Sequence, residues 1–143
     1  MFGSWSDYAT AFAATQAVFL ALWLVSLAKR DSSVVDFWWG PGFLAQLGVA
    51  AWASGEALAA RDVALIALVG AWGLRLGWTL GRRRLAEGHE DPRYAALRAA
   101  WNPGFWWKSL FLVFVLQAVV QWLIALGPLS ALMAPESAIG ALG

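Results

Sequence analysis

The chain has 143 residues, 61% hydrophobic and only 13% charged, with a formal net charge of +1 and a mean hydropathy of +0.62. Soluble domains carry about 25% charged residues, and a chain this short could not hide so much apolar surface in one water-soluble core. The composition therefore predicts an integral membrane protein, and with no Cys and one His (His89) it excludes disulfides, thiolate metal sites and a His-based metal cluster.

Four stretches are long and apolar enough to cross ~30 Å of hydrocarbon as helices of ~20 residues. The first runs from about Tyr8 to Ala28 and ends at Lys29-Arg30-Asp31. The second follows the helix-start signal Asp31-Ser32-Ser33 and runs from about Asp36 to Ala53. The third covers Val63 to about Leu80. The fourth covers Trp106 to about Leu126, where Gly127-Pro128 is expected to break it. The expected fold class is all-α: one membrane domain over 1–143, a bundle of four transmembrane helices at about 8–28, 36–53, 63–80 and 106–126. The third connection, 81–105, adds an interfacial helix. Ala131 to Gly143 is Gly-rich and carries no pattern that assigns it.

Lys29 and Arg30 lie in the first connection, Arg61 alone in the second, and Arg82, Arg83, Arg84, Arg93, Arg98 and Lys108 in or beside the third. The positive-inside rule then puts loops 29–35 and 81–105 in the cytoplasm and both termini outside. The eleven Trp agree with several boundary crossings, since an apolar ring with one N–H settles where hydrocarbon meets headgroup. Trp38, Trp39, Trp78, Trp101, Trp106 and Trp107 fall near the inner boundary, and Trp5, Trp52 and Trp122 near the outer one. Trp23 and Trp72 lie deeper, where packing between helices is expected.

Polar groups inside spans need partners or jobs. Gln16, Gln46 and Gln117 fall near the middle of spans one, two and four, with Gln121 a turn beyond Gln117. Such amides serve either as interhelical glue or as substrate contacts. Asp36 opens span two, either as a helix cap, as a partner for Arg75, or as a ligand contact. Gly40-Pro41-Gly42 just after it either kinks the helix or unwinds a turn to line a polar cavity. Gly70, Gly73 and Gly77 allow helix three to approach a neighbour closely. On the same helix Arg75, Thr79 and Arg82 share one face at i, i+4 and i+7. Arg75 either snorkels to the headgroups or pairs.

The stretch RRRLAEGHEDPRY, residues 82–94, concentrates the charge. Topology or attraction to anionic lipid accounts for Arg82-Arg83-Arg84. The sign reversal at Glu87, Glu90 and Asp91 calls for more. Asp91-Pro92 reads as a helix start with Pro in the first position, RYAALRAAW as a short helix, and Asn102-Pro103-Gly104 as its end. An ordered surface of guanidinium forks with acids to orient them suits a phosphate-bearing ligand. No soluble-type dinucleotide fingerprint is present, and nucleic acid is not an expected partner.

These segments carry a family resemblance. Asp36, Trp39 and Gly40 opening span two, Trp72, Arg75 and Leu76 closing span three, and Glu90-Asp91-x-Arg93-Tyr94 in the following loop resemble the domain-of-unknown-function branch of the steroid 5-alpha-reductase-like membrane proteins, over roughly Val34 to Pro128. The resemblance implies an NADPH-dependent reductase acting on a carbon–carbon double bond of a lipid-like substrate. It implies cofactor contacts from Arg75, Arg82, Arg83, Glu90, Asp91 and Arg93. Asp36 and Tyr94 become candidate catalytic residues, with Tyr94 as proton donor, and Trp39, Gln46 and Gln117 candidate substrate contacts. The family continues into a nucleotide-binding segment around Arg-His-Pro-Asn-Tyr, which this sequence lacks, so the expectation is either an N-terminal portion of a longer protein or a complete short relative, in both cases needing a C-terminal half or second subunit to complete the cofactor site. The alternative is a non-enzymatic four-helix module packing against partner proteins or membrane lipid.

Overall fold

The computed structural model describes residues 5–134, and all regular structure among them is helical. Helix α1 is Trp5–Lys29. A 3-10 helix, Ser32–Trp38, leads into α2, Trp39–Ser54. Helix α3 is Ala60–Glu87 and α4 is Pro92–Trp101. Helix α5 is Phe105–Met133, with a π-helical stretch at Leu110–Val115. The four long helices run up, down, up and down. At one end Tyr8 Oη donates to Ser130 Oγ (3.4 Å) and Arg61 Nη2 to the Ala134 carbonyl (2.7 Å). At the other, basic end, Arg84 pairs with Asp31 and Trp23 Nε1 donates to the Trp106 carbonyl (3.0 Å).

Three helices, α1, α3 and α5, are long and apolar enough to cross a membrane. The second span is the exception to the expected four. Its helix has 16 residues, or ~24 Å at 1.5 Å per residue, because the residues before it form a 3-10 turn instead. Asp31 caps that turn, accepting from the Ser33 N–H at 2.9 Å. Asp36 does not cap α2, whose N-cap is Trp38 with no side-chain bond.

Each residue of Gly40-Pro41-Gly42 has its own reason. A Cβ on Gly40 would overlap the Gly73 carbonyl, so α2 and α3 touch backbone to backbone there. Gly77 meets Pro41 and the Phe37 carbonyl, at 2.7 and 2.8 Å from where its Cβ would lie, so the small residues of α3 face α2. Pro41 falls in the first turn of α2, where a missing N–H costs nothing. A Cβ on Gly42 would collide with the Gln121 amide, which enters from α5.

Two other boundaries differ from the sequence expectation. Helix α3 continues past Leu80 to Glu87, ended by Gly88 at φ 68°, because Arg82–Glu87 is made of good helix formers and an Arg83–Glu87 pair at i, i+4. Helix α5 continues through Gly127-Pro128 to Met133. The extra turn buries Leu129, Leu132 and Met133 against Ala11, Phe43, Leu47 and Ala50, and burying side chains of that size, ~1.5–3 kcal/mol each, outweighs the interrupted ladder bond. Trp72, expected to lie between helices, is half-exposed, with one face on Phe43 at 5.6 Å between centroids.

Candidate functional site at the basic end

Helix α4 forms where the sequence places it. Asp91 caps it, accepting from the Arg93 N–H at 2.9 Å, with Pro92 in the first turn. It is not a loose surface segment, because Tyr94 is buried in a cluster with Phe19, Val35, Val113, Phe114 and Ala118. Docking there carries the Tyr94 hydroxyl to the start of α2. Its Oη donates to Asp36 Oδ1 at 2.7 Å and accepts from Gln117 Nε2 at 3.2 Å, while Trp39 Nε1 donates to Gln117 Oε1 at 2.7 Å. Arg93 Nη2 donates to Asp36 Oδ2 at 2.9 Å, and the Arg93 fork also grips Asp91 at 2.9 and 3.1 Å.

Six sequence-nominated residues thus form one hydrogen-bonded chain: Trp39, Gln117, Tyr94, Asp36, Arg93 and Asp91. Burial, then the bond to Asp36, pushes the Tyr94 phenol well above its usual value and keeps it neutral. Asp91 is held below its usual value by the Arg93 side chain and N–H. The phenol proton is thus aimed at Asp36, and the Gln117 amide is aimed at the phenol oxygen.

Other nominated residues lie elsewhere. Gln46 Nε2 donates to Gln121 Oε1 at 3.2 Å, and Gln121 Nε2 donates to the Trp39 carbonyl at 3.0 Å, so this pair ties α2 to α5 beneath the chain. Arg75 does not meet Asp36. It is exposed on α3, and among the described residues its guanidinium has no ion-pair partner. The reason is rotational: Gly73 and Gly77 occupy the face of α3 that meets α2, turning Arg75 outward. Arg82 also points outward, its guanidinium 5.9 Å from the Trp78 ring centroid.

Glu90 serves as a clamp. Its Oε1 accepts from the Ser32 N–H and Arg98 Nη2, both at 2.8 Å, and its Oε2 accepts from Arg98 Nε at 3.0 Å. Asp31, Ser33, Arg84 and Arg98 complete the ordered end, and sequence reading did not nominate them. The signal available was Asp31-Ser32-Ser33 itself, which the Ser33 hydroxyl extends by accepting from the Asp91 N–H at 3.2 Å. Asp36, Arg83, Arg84, Glu87, Asp91 and Arg93 line a polar cavity of about 50 Å³, with Arg83 on Glu87, Arg84 on Asp31 and Arg93 on Asp36 and Asp91.

Among the described residues, regular structure that is all helical, with three apolar helices of membrane-crossing length and an ordered, charged cluster at one end, points to the class, a helical membrane protein. Within that class, residues 22–142 match the family described as "Protein of unknown function (DUF1295)". The chain belongs to that family. No curated protein and no solved structure matches it.

Proposed function

We propose that the chain is the membrane-embedded portion of a steroid-5-alpha-reductase-like oxidoreductase that uses NADPH to reduce a carbon–carbon double bond of a lipid-like substrate. The observation that carries this reading is the Tyr94–Asp36 hydrogen bond, backed by Gln117 and Arg93. Tyr94 would turn its O–H from Asp36 to give its proton to an enolate-like carbon, while Gln117 on the phenol oxygen and Arg93 on Asp36 would offset the phenolate and carboxylate left side by side. Trp39 fixes the Gln117 amide so that its NH2 faces Tyr94.

The described residues do not by themselves enclose a dinucleotide. The polar cavity is about 50 Å³, against ~300–1,000 Å³ for small-molecule sites, and Arg83, Arg84 and Arg93 are already engaged by carboxylates. Arg75 and Arg82, which have no ion-pair partner among the described residues, stand on the outward face of α3, so the reading includes further walls against that face, from a C-terminal half or a second subunit. It also takes α2 as a fourth crossing. The 3-10 turn at ~2.0 Å per residue adds ~14 Å to α2, enough to traverse ~30 Å of hydrocarbon. The basic end then faces the cytoplasm, where NADPH is available.

The test is NADPH binding to the full-length protein in nanodiscs, followed by reduction of unsaturated lipids. Arg75→Ala and Arg82→Ala should weaken binding, and Tyr94→Phe should leave binding intact while abolishing reduction. Equal binding after replacement of Arg75, Arg82, Arg83 and Arg93 together would sink the reading. A second reading, a non-enzymatic module packing against partner proteins or lipid, is favoured by one observation: each of the cavity's arginines is already paired with one of the protein's own acids. It expects no nucleotide binding at all.

A further inference from the structure

At the basic end, Arg98 of α4 and Asn102 just beyond it line an open groove of about 560 Å³, walled also by Leu27 of α1, Arg30 of the first connection, Glu90, and Phe105 and Trp106 of α5. Arg30 is the feature that ordinary topology leaves unexplained. Its φ is 51°, and it is the one non-glycine residue with positive φ among the described residues. It occupies the left-handed position of a Schellman turn that ends α1, with the Asp31 N–H donating to the Ser26 carbonyl (3.0 Å) and the Arg30 N–H to the Leu27 carbonyl (3.3 Å). Helices α2 and α3 end in the same left-handed conformation with Gly55 and Gly88. A residue with a Cβ is disfavoured there relative to glycine. Positive charge at the end of a span needs no such position, because Lys29 supplies it from an ordinary helical site.

The groove's chemistry says what Arg30 is for. Arg98 is neutralised by Glu90 and stacks over the Phe105 ring, 4.2 Å from its centroid. Arg30 has no ion-pair partner among the described residues, and Asn102 offers an amide. Glu90 also lines the groove, its carboxylate engaged by Arg98 and the Ser32 N–H; the remaining walls, Leu27, Phe105 and Trp106 among them, are apolar, and Trp106 is 58% exposed. One uncompensated guanidinium beside an amide, opening onto an apolar wall at the end of three membrane-length helices, matches a phosphate diester attached to a hydrocarbon tail.

We propose that this groove is a headgroup site for an anionic glycerophospholipid of the surrounding leaflet, its phosphate on Arg30 and its acyl chain along Leu27 and Trp106. The site lies apart from the Tyr94–Asp36 chain and does not depend on the reductase reading.

The experiment compares the full-length protein in nanodiscs of phosphatidylcholine alone with nanodiscs that also contain phosphatidylglycerol, reading the unfolding temperature, together with retention of phosphatidylglycerol in native mass spectra. The wild type should be stabilised by phosphatidylglycerol. Arg30→Gly should unfold higher than the wild type in phosphatidylcholine, since it relieves the left-handed backbone, yet lose the phosphatidylglycerol gain and retain that lipid about fivefold less well. Arg30→Asn, which also tolerates the left-handed region, should lose the gain likewise, and Lys29→Ala should keep it. An undiminished phosphatidylglycerol gain in Arg30→Gly and Arg30→Asn overturns the proposal. So does equal stabilisation by inorganic phosphate, which would mean a free anion and not a lipid.

Discussion

Tyr94 Oη donates to Asp36 Oδ1 at 2.7 Å across 58 residues of sequence, joining the helix of the charged connection to the entry of α2. Tyr94 is also part of the buried cluster under α1 and α5, so one side chain is both a packing element and a polar link. Its neighbours gain their arrangement from it. Without the ring in that cluster, Gln117 would lose the acceptor its amide meets, and Asp36 would lose the Tyr94 hydroxyl that it shares with Arg93.

Tyr94→Phe keeps the ring and removes the hydroxyl. Gln117 loses an acceptor and Asp36 a donor, so the protein should lose about 1–3 kcal/mol, read as a lower midpoint in thermal or denaturant unfolding in nanodiscs. Asp36→Asn combined with Tyr94→Phe should cost less than the sum of the singles, since the groups share one bond. Strict additivity would show that the bond contributes nothing.

Gly73→Ala should be severely damaging, because the added methyl would have to displace the Gly40 backbone. Overpacking of this kind costs ~1–3 kcal/mol or more. Gly48→Ala is the control: nothing lies within 4 Å of its added Cβ, and alanine in a helix gains up to ~1 kcal/mol over glycine. Parallel melting curves of the two variants check the α2–α3 contact.

Acid should loosen the basic end through Asp31. Burial raises its carboxyl, but bonds from Ser33 and Arg84 outweigh this and hold it below its ordinary 3.8. A lowered folded value means the stabilisation is present above 3.8 and is lost as pH falls through the folded value. The wild type should therefore lose stability on acidification below about pH 3.8. Asp31→Asn should begin less stable at neutral pH and show a shallower acid limb in the same titration.

Arg98→Ala should free the connection between α3 and α4. Arg98 is about one-third exposed, so solvent screening reduces the value of its bidentate pair with Glu90 to about 1 kcal/mol. The local effect should exceed the global one. Hydrogen exchange should rise at the Ser32 amide, which donates to the same carboxylate, before the helices of the core respond.

Much of this protein was legible as sequence because the responsible physics is local. Hydropathy and length mark α1, α3 and α5, Asp91-Pro92 marks the start of α4, and Asn102-Pro103-Gly104 its end. Charge placement alone singled out the 82–94 stretch. The Pro128 boundary misled because a proline's missing bond is visible in sequence, whereas the core that Leu129, Leu132 and Met133 fill is not.

Partnership was decided only in three dimensions. Arg75 and Arg93 are both arginines near the basic end, and nothing in their order says which one meets Asp36. The rotation of α3 decides it, through Gly73 and Gly77 seated against Gly40 and Pro41. That contact turns Arg75 outward and leaves Asp36 to the docked α4. Composition determines that the helices form in an apolar solvent. The close approach of two backbones, a non-local steric fact, determines which charges come to face each other.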